Sequence, residues 1–115
     1  MKKILFIDDH EGIAEMLAGY ISRYGYETFY TTSPQEGVQM AVDRQADLVI
    51  SDILMPKMDG YEVAKRMSEA KIAVIFLTAV PQNKWASKIN GVVDYIEKPA
   101  TPEYLVTIIR SHIGE

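Results

Sequence analysis

The chain has 115 residues, of which 48% are apolar and 24% charged, with a net charge of −4 and no cysteine. This length and composition are typical of one globular domain that buries its own core, so we expect residues 1–115 to form a single domain without an output domain in this chain. The net negative charge argues against direct nucleic-acid binding. The longest apolar run is too short to span a membrane. The lack of cysteine excludes disulfides and fits a cytoplasmic location.

The first half of the chain alternates between predicted strands and helices. A helix follows the first strand, with apolar residues at helical spacing, and Gly25 ends it. Ser33, Pro34 and Glu36 form a capping box, which predicts the start of a second helix. The predicted strands in this half, rich in apolar, aromatic and β-branched residues, cover residues 3–8, 26–31 and 47–52.

The second half continues the alternation. Proline and Asp-Gly predict a loop over residues 55–60, and a third helix follows over residues 60–69. A short fourth helix is predicted near residues 84–89, and a last helix begins at Thr101-Pro102. The two remaining strands, mostly apolar, cover residues 72–77 and 92–96.

Five strands alternating with five helices predict an α/β fold with a parallel sheet and helices on both faces. We expect the doubly wound, flavodoxin-like strand order 2-1-3-4-5, whose switch point lies at the carboxyl ends of strands one and three. Three aspartates follow those strands and would meet in one crevice: Asp8, Asp9 and Asp52. Thr78 and Lys98 follow the last two strands and would flank it.

An acid cluster of this kind is electrostatically unfavourable. Two carboxylates about 5 Å apart repel by roughly 3 kcal/mol at an effective dielectric constant near 20. We therefore expect Asp52→Asn to raise the melting temperature of the metal-free protein. Carboxylates without imidazole or thiolate suit Mg²⁺, although Asp9 could instead cap the first helix without a metal. His10, the next residue, is interpreted as a surface residue at the start of that helix.

Four segments together resemble the receiver domain of bacterial two-component response regulators. The resemblance covers essentially the whole chain, and the order of the segments along it makes the match specific. The matching segments are Asp8-Asp9, Asp52–Gly60, Thr78-Ala79 and Asp94–Pro99.

The resemblance implies a phosphorylation-dependent signalling switch. Asp52 would accept a phosphoryl group from a sensor histidine kinase or a phosphotransfer protein. Asp9, Asp52 and the backbone carbonyl of Leu54 would bind Mg²⁺ directly, and Asp8 through water, with Mn²⁺ as an alternative ion. The domain would catalyse only its own phosphorylation and dephosphorylation, so it is not classed as an enzyme.

The resemblance also implies a conformational switch. Thr78, followed by Ala79, would supply the switch hydroxyl, which we expect to gain a hydrogen-bond partner only when phosphate is present. Lys98 would pair with the phosphoryl group, and Tyr95 would be the switch aromatic residue. The Lys98–Pro99 peptide bond is expected to be cis. The surface of the fourth helix, fifth strand and last helix would then regulate a protein target or a separate output domain.

Two features depart from the pattern. The stretches from Asp52 to Thr78 and from Thr78 to Lys98 are both a little short for the family. We expect the loss in the fourth helix and its preceding loop, around residues 81–90, which affects the predicted output surface rather than the phosphorylation chemistry. Leu54 and Val80 are apolar at positions whose side chains influence attack by water in this family. Neither side chain can orient a water molecule, so we predict slow self-dephosphorylation.

Three other functions compete with this interpretation. Enzymes with an aspartyl-phosphate intermediate in another α/β fold place Asp-x-Asp after strand one, whereas this chain has Asp8-Asp9-His10. A flavin-binding module of the same topology needs a phosphate-binding loop rich in Ser, Thr and Gly there, and acidic residues would repel phosphate. A receiver that binds partners without phosphorylation would not need the full set of acids, threonine and lysine.

Overall fold

The computed structural model describes residues 1–84 and 86–114. Its five strands form one parallel sheet in the order β2-β1-β3-β4-β5, which confirms the predicted doubly wound, flavodoxin-like fold. The elements in chain order are β1 Lys3–Ile7, α1 Glu11–Ser22, β2 Glu27–Thr31, α2 Pro34–Asp43, β3 Leu48–Ser51, α3 Gly60–Glu69, β4 Ala73–Thr78, a 3₁₀ turn Ala86–Lys88, β5 Val92–Glu97 and α4 Pro102–Ile113.

Three helices begin at a side chain that accepts a hydrogen bond from a backbone N–H three residues further on. Ser33 caps α2, Asp59 caps α3 and Thr101 caps α4, which confirms the helix starts read from the sequence. Within the described ranges, no helix has both the length and the apolar character that crossing a membrane requires.

Helices cover both faces of the sheet, and each face has its own apolar core. On one face, α1 and α4 pack residues such as Leu17 and Ile109 against the strands. On the other face, α2 and α3 do the same with residues such as Ala41 and Met67. The central strands are buried on both faces, so they hold their carboxyl ends firmly along one edge of the sheet.

The predicted fourth helix is wrong in type and length. Instead of a helix over residues 84–89, the structure has a single 3₁₀ turn, Ala86–Lys88, between β4 and β5. The described α-helices therefore number four rather than five. Trp85, inside the predicted helix, lies outside the described residues.

Side chains from β5 satisfy the backbone of the segment that enters this turn. The Tyr95 hydroxyl donates to the carbonyl oxygens of Val80 at 2.7 Å and Pro81 at 3.3 Å. The Gln82 N–H donates to Glu97 Oε1 at 3.0 Å. Because these backbone groups hydrogen-bond side chains of β5, the segment does not need the hydrogen bonds of a helix to satisfy them.

Candidate functional site

Four strands end at one edge of the sheet, and each brings a polar residue there. Asp8 follows β1, Asp52 follows β3, Thr78 ends β4 and Lys98 follows β5. In the sheet, β1 lies beside β3 and β4 lies beside β5. The fold therefore gathers four of the predicted site residues in one crevice.

The Lys98 ammonium group joins two of the carboxylates. Its Nζ donates to Asp8 Oδ2 at 2.8 Å and to Asp52 Oδ2 at 3.0 Å. The exposed fractions of these side chains are 22% for Lys98, 6% for Asp8 and 11% for Asp52. Solvent and salt screen such a group less than a surface ion pair. The peptide bond between Lys98 and Pro99 is cis, the geometry that the resemblance implied.

The surroundings of Asp52 favour its ionised form. Burial alone raises the pKa of this carboxyl group, but hydrogen bonds from Thr78, Lys98 and the backbone outweigh burial and lower the pKa below its usual value. The backbone donor is the Ile53 N–H, 2.6 Å from Oδ1. Burial lowers the pKa of Lys98, yet its hydrogen bonds to Asp8 and Asp52 raise the pKa above the usual value. Both Asp52 and Lys98 are therefore charged at neutral pH.

The expected net repulsion at Asp52 is wrong. The lowered pKa means that the hydrogen bonds and the attraction of Lys98 exceed the effect of burial. Lys98 lies 46 residues from Asp52 along the chain, so its direct contact with two carboxylates could not be predicted from local sequence patterns. Asp52→Asn should consequently remove favourable contacts instead of relieving unfavourable ones.

Thr78 is fully buried, and its hydroxyl group already has a partner. The hydroxyl oxygen accepts from the Val80 N–H at 3.2 Å, and the nearby hydroxyl also helps to lower the pKa of Asp52. The expectation that this hydroxyl lacks a partner until phosphate arrives is therefore wrong. A hydroxyl donates only one hydrogen, so any group added to Asp52 would compete for it.

Tyr95 is connected to Thr78 through the backbone of Val80. The Tyr95 hydroxyl donates to the Val80 carbonyl at 2.7 Å, while the Val80 N–H donates to Thr78 Oγ1. The half-buried Tyr95 ring packs edge-on against Phe76, with ring centroids 5.8 Å apart and planes at 73°. Burial, reinforced by neighbouring negative charge, raises the pKa of Tyr95, so its hydroxyl remains a donor.

Asp9 has a carboxylate oxygen without a partner. Its Oδ1 is buried and accepts no hydrogen bond, although 27% of the side chain is exposed. His10 Nδ1 lies 3.3 Å from this oxygen, without the geometry of a hydrogen bond. The alternative that Asp9 caps α1 is wrong, because His10 occupies the N-cap position and no side chain caps that helix.

The orphaned oxygen belongs to a group of side chains that fits a divalent ion. Within residues 1–84 and 86–114, ligand atoms of Asp8, Asp9 and His10 lie within 4.8 Å of one another. Buried anionic oxygens without donors are what a hard cation such as Mg²⁺ binds. Asp52 is outside this group, and its oxygens bond instead with Ile53 and Lys98.

The other predicted site residues lie in the loops after β3 and β4. Leu54 comes two residues after Asp52, and its side chain is 70% exposed. Ala79 is exposed directly after Thr78, and Val80 packs partly against the core on the α3 side. Metal binding by the Leu54 carbonyl and phosphate binding at Ala79 stay predictions.

A family model described as the response regulator receiver domain matches residues 4–110. The chain belongs to this family. Receiver domains are the signalling domains of two-component systems, so this receiver domain serves phosphorylation-dependent signalling.

Relatives of known name support the assignment. The receiver domain is 32% identical to response regulator SaeR of Staphylococcus aureus (strain USA300), over 96% of the chain and 50% of that protein. It is 31% identical to the alkaline phosphatase synthesis transcriptional regulatory protein PhoP of Bacillus subtilis (strain 168), over 88% of the chain and 44% of that protein. The chain thus spans about half the length of these relatives.

Solved structures agree with the assignment. A CheY-like receiver domain from Methanospirillum hungatei JF-1 superposes with a TM-score of 0.89 at 25% identity, covering 96% of this chain and 92% of that one. A receiver domain from Clostridium thermocellum gives 0.87 at 28% identity, covering 96% and 93%.

The Asp-Gly pair predicts a turn at Gly60 but not the contact of this glycine with the segment that follows β3. A Cβ atom on Gly60 would lie 2.7 Å from Ile53 Cα and closer still to the Asp52 carbonyl oxygen. The Gly60 N–H donates to the Ile53 carbonyl at 2.8 Å. The receiver domain therefore needs glycine here for α3 to begin directly against the backbone of Asp52 and Ile53. An Asp-Gly pair signals a turn, but nothing local in the sequence signals this close approach.

Proposed function

We propose that this receiver domain, acting in the cytoplasm, accepts a phosphoryl group onto Asp52 in a Mg²⁺-dependent reaction. The donor would be a sensor histidine kinase or a phosphotransfer protein. The observation that carries the proposal is the position of Lys98 between Asp8 and Asp52, together with the orphaned Oδ1 of Asp9 in the group that Asp9 forms with Asp8 and His10. One crevice thus combines an ionised nucleophile, a counter-charge for phosphoryl oxygens and ligands for a cation.

The transfer is a substitution at phosphorus. A carboxylate oxygen of Asp52 forms the new O–P bond while the N–P bond of the donor phosphohistidine breaks. The electron pair of that bond stays on the imidazole nitrogen, which takes a proton from solvent. Because its pKa is lowered, Asp52 is already ionised and needs no general base to remove a proton. The product is an acyl phosphate on Asp52.

Three residues would bind the oxygens of the transferred group. Lys98 already lies 3.0 Å from Asp52 Oδ2 and would pair with one phosphoryl oxygen. The hydroxyl of Thr78 and the backbone N–H of Ala79 would hold another. Donors held in place before the reaction stabilise charge on these oxygens without reorganising as it develops.

Residues at the Asp9 end of the crevice would hold the ion. Asp9, Asp52 and the Leu54 carbonyl would bind Mg²⁺ directly, Asp8 would bind it through water, and Mn²⁺ would substitute. When bound, the ion neutralises negative charge at the attacked phosphoryl group and orients one of its oxygens. The orphaned Oδ1 of Asp9 supports this assignment.

The hydrogen bonds around Thr78 suggest how the signal would leave the site. A phosphoryl group on Asp52 would take over the single hydroxyl hydrogen of Thr78 and one contact of Lys98. Val80 and Tyr95 would respond because they are hydrogen-bonded in series to Thr78. The surface formed by the 3₁₀ turn, β5 and α4 would then regulate a protein target or a separate output domain.

The phosphorylated state should be long-lived. The exposed Leu54 side chain offers no group to orient a water molecule, and neither does Val80. We expect a phosphorylated half-life well beyond seconds in the presence of Mg²⁺ and the absence of a partner. A half-life of only seconds, followed by intact-protein mass, would contradict this part of the proposal.

The test of the whole proposal is incubation with Mg²⁺ and acetyl phosphate, followed by intact-protein mass spectrometry. The protein should gain one phosphoryl group, and a chelator should abolish the gain. Asp52→Asn should gain none, while the control Asp43→Asn, at an exposed aspartate in α2, should react like the original protein. No gain in the original protein, or an undiminished gain in Asp52→Asn, would overturn the proposal.

A further inference from the structure

The group of ligand atoms at the Asp9 end of the crevice contains a nitrogen as well as oxygens. His10 Nδ1 lies 3.2 Å from Asp8 Oδ1 and 3.3 Å from Asp9 Oδ1. We propose that His10 is a ligand of the divalent ion and that it strengthens the binding of Mn²⁺ much more than that of Mg²⁺. This inference rests on the ion site of the proposed function and adds a residue that sets its selectivity.

The distances fit adjacent positions around one octahedral ion. When metal–ligand bonds are about 2.1 Å long, neighbouring ligands of an octahedron lie about 3.0 Å apart. The nitrogen is within a few tenths of an ångström of that separation from Asp9 Oδ1, the oxygen that would bind the ion directly. An ion bound to Asp9 Oδ1 would therefore reach His10 Nδ1 with only a small movement of the exposed ring.

The exposed His10 ring makes one hydrogen bond, between Nδ1 and Asp8 Oδ1 at 3.2 Å, and coordination of an ion by Nδ1 would replace it. The residue is the N-cap of α1, but its side chain makes no capping hydrogen bond, and 68% of that side chain is exposed. Its backbone is fixed instead, because the His10 N–H donates to Asp8 Oδ1 at 3.0 Å. The backbone thus holds the imidazole beside the acids while leaving its far edge in solvent.

The chemistry of the ligands predicts the selectivity. Mg²⁺ prefers oxygen ligands and keeps several waters, so losing an imidazole costs it little. Transition ions accept imidazole nitrogen more readily. A neutral His10 would bind through Nδ1 and carry its proton on the solvent-facing Nε2.

Binding of each ion to the metal-free protein tests the selectivity. His10→Ala should lower the affinity for Mn²⁺, measured from the electron paramagnetic resonance signal of free Mn²⁺, by about tenfold or more. Its affinity for Mg²⁺, measured by calorimetry, should change by less than about twofold. The control is His112→Ala, because His112 lies in α4 with Nε2 2.9 Å from Asp94 Oδ2, and this variant should bind both ions normally.

Pulsed electron paramagnetic resonance tests the bond itself. With Mn²⁺ bound, the protein and His112→Ala should show nitrogen modulation from a coordinated imidazole, and His10→Ala should not. Equal Mn²⁺ affinities without nitrogen modulation, or an equal loss of affinity for both ions, would overturn the role of His10 while leaving Asp52 phosphorylation intact. Failure of the unmodified protein to bind either ion would instead count against the proposed function.

Discussion

The two ends of the crevice balance their negative charge differently. At the Asp52 end, Lys98 and Thr78 supply hydrogen bonds that lower the pKa of the carboxyl group. At the Asp9 end, a buried carboxylate oxygen has no hydrogen-bond donor. The difference indicates that contacts within the fold stabilise the Asp52 carboxylate, whereas the buried oxygen of Asp9 is left without a hydrogen bond. The two ends should therefore respond in opposite ways to mutation.

Removing the lysine should have the largest effect. Lys98→Ala deprives Asp8 and Asp52 of their shared counter-charge and the phosphoryl group of an oxygen ligand. The rate of phosphorylation by acetyl phosphate should fall by about 100-fold, as when one donor to a developing charge is lost. Lys65→Ala, at an exposed lysine of α3, is the control. A rate for Lys98→Ala equal to that of the control would show that the ammonium group has no part in the reaction.

Gly60, which packs against the backbone of Asp52 and Ile53, provides a steric test. Gly60→Ala forces its new Cβ against the backbone of Asp52 and Ile53, so the free energy of unfolding in urea should fall by about 1–3 kcal/mol. Gly19→Ala in α1 meets no atom within 4 Å and should raise the unfolding free energy by up to about 1 kcal/mol. If both substitutions shifted stability alike, the close approach of α3 would not constrain the acceptor strand.

Neutralising one acid at each end should change stability in opposite directions. In the metal-free protein, Asp52→Asn removes favourable contacts and should lower the unfolding free energy by about 1 kcal/mol. Asp9→Asn removes the charge of a carboxylate whose buried Oδ1 accepts no hydrogen bond, and should raise the unfolding free energy by a similar amount. Thermal unfolding in the presence of a chelator measures both changes in stability. A rise in the unfolding free energy of Asp52→Asn would show that repulsion dominates at this residue, as the sequence alone suggested.

Acid should remove the contribution of Asp52 to the free energy of unfolding. The folded-state pKa of Asp52 is lowered from the unfolded value of 3.8, so its contribution is complete above that pH and is lost as pH falls through the folded-state pKa. The stability difference between the unmodified protein and Asp52→Asn should thus be constant near neutrality and shrink below about pH 4. Denaturant titrations at several pH values measure it; a difference that grew in acid would contradict the sign of the pKa shift.

The sequence was sufficient for the parts of the account that depend on local patterns. Apolar strands and helix caps predicted the sheet, and the topology then brought Asp8 and Asp52 to one edge. It was insufficient where a contact depends on exact distances between remote residues. Lys98 reaching two carboxylates and Tyr95 bonding the loop after β4 are contacts of this kind.

The prediction of a fourth helix was wrong for the same reason. Segment 84–89 was assigned from its own residues, whereas its approach from β4 is bonded to side chains of β5. The partners of Thr78 were also invisible, since a buried hydroxyl and a turn hydroxyl look alike in a sequence.

The most direct measurement locates the phosphoryl group on the chain. After reaction with Mg²⁺ and acetyl phosphate, borohydride reduces an aspartyl phosphate to homoserine, which peptide mass spectrometry assigns to one position. We expect homoserine at position 52, with Asp8 and Asp9 unchanged. Homoserine at either of those residues, or at none of the three, would contradict it.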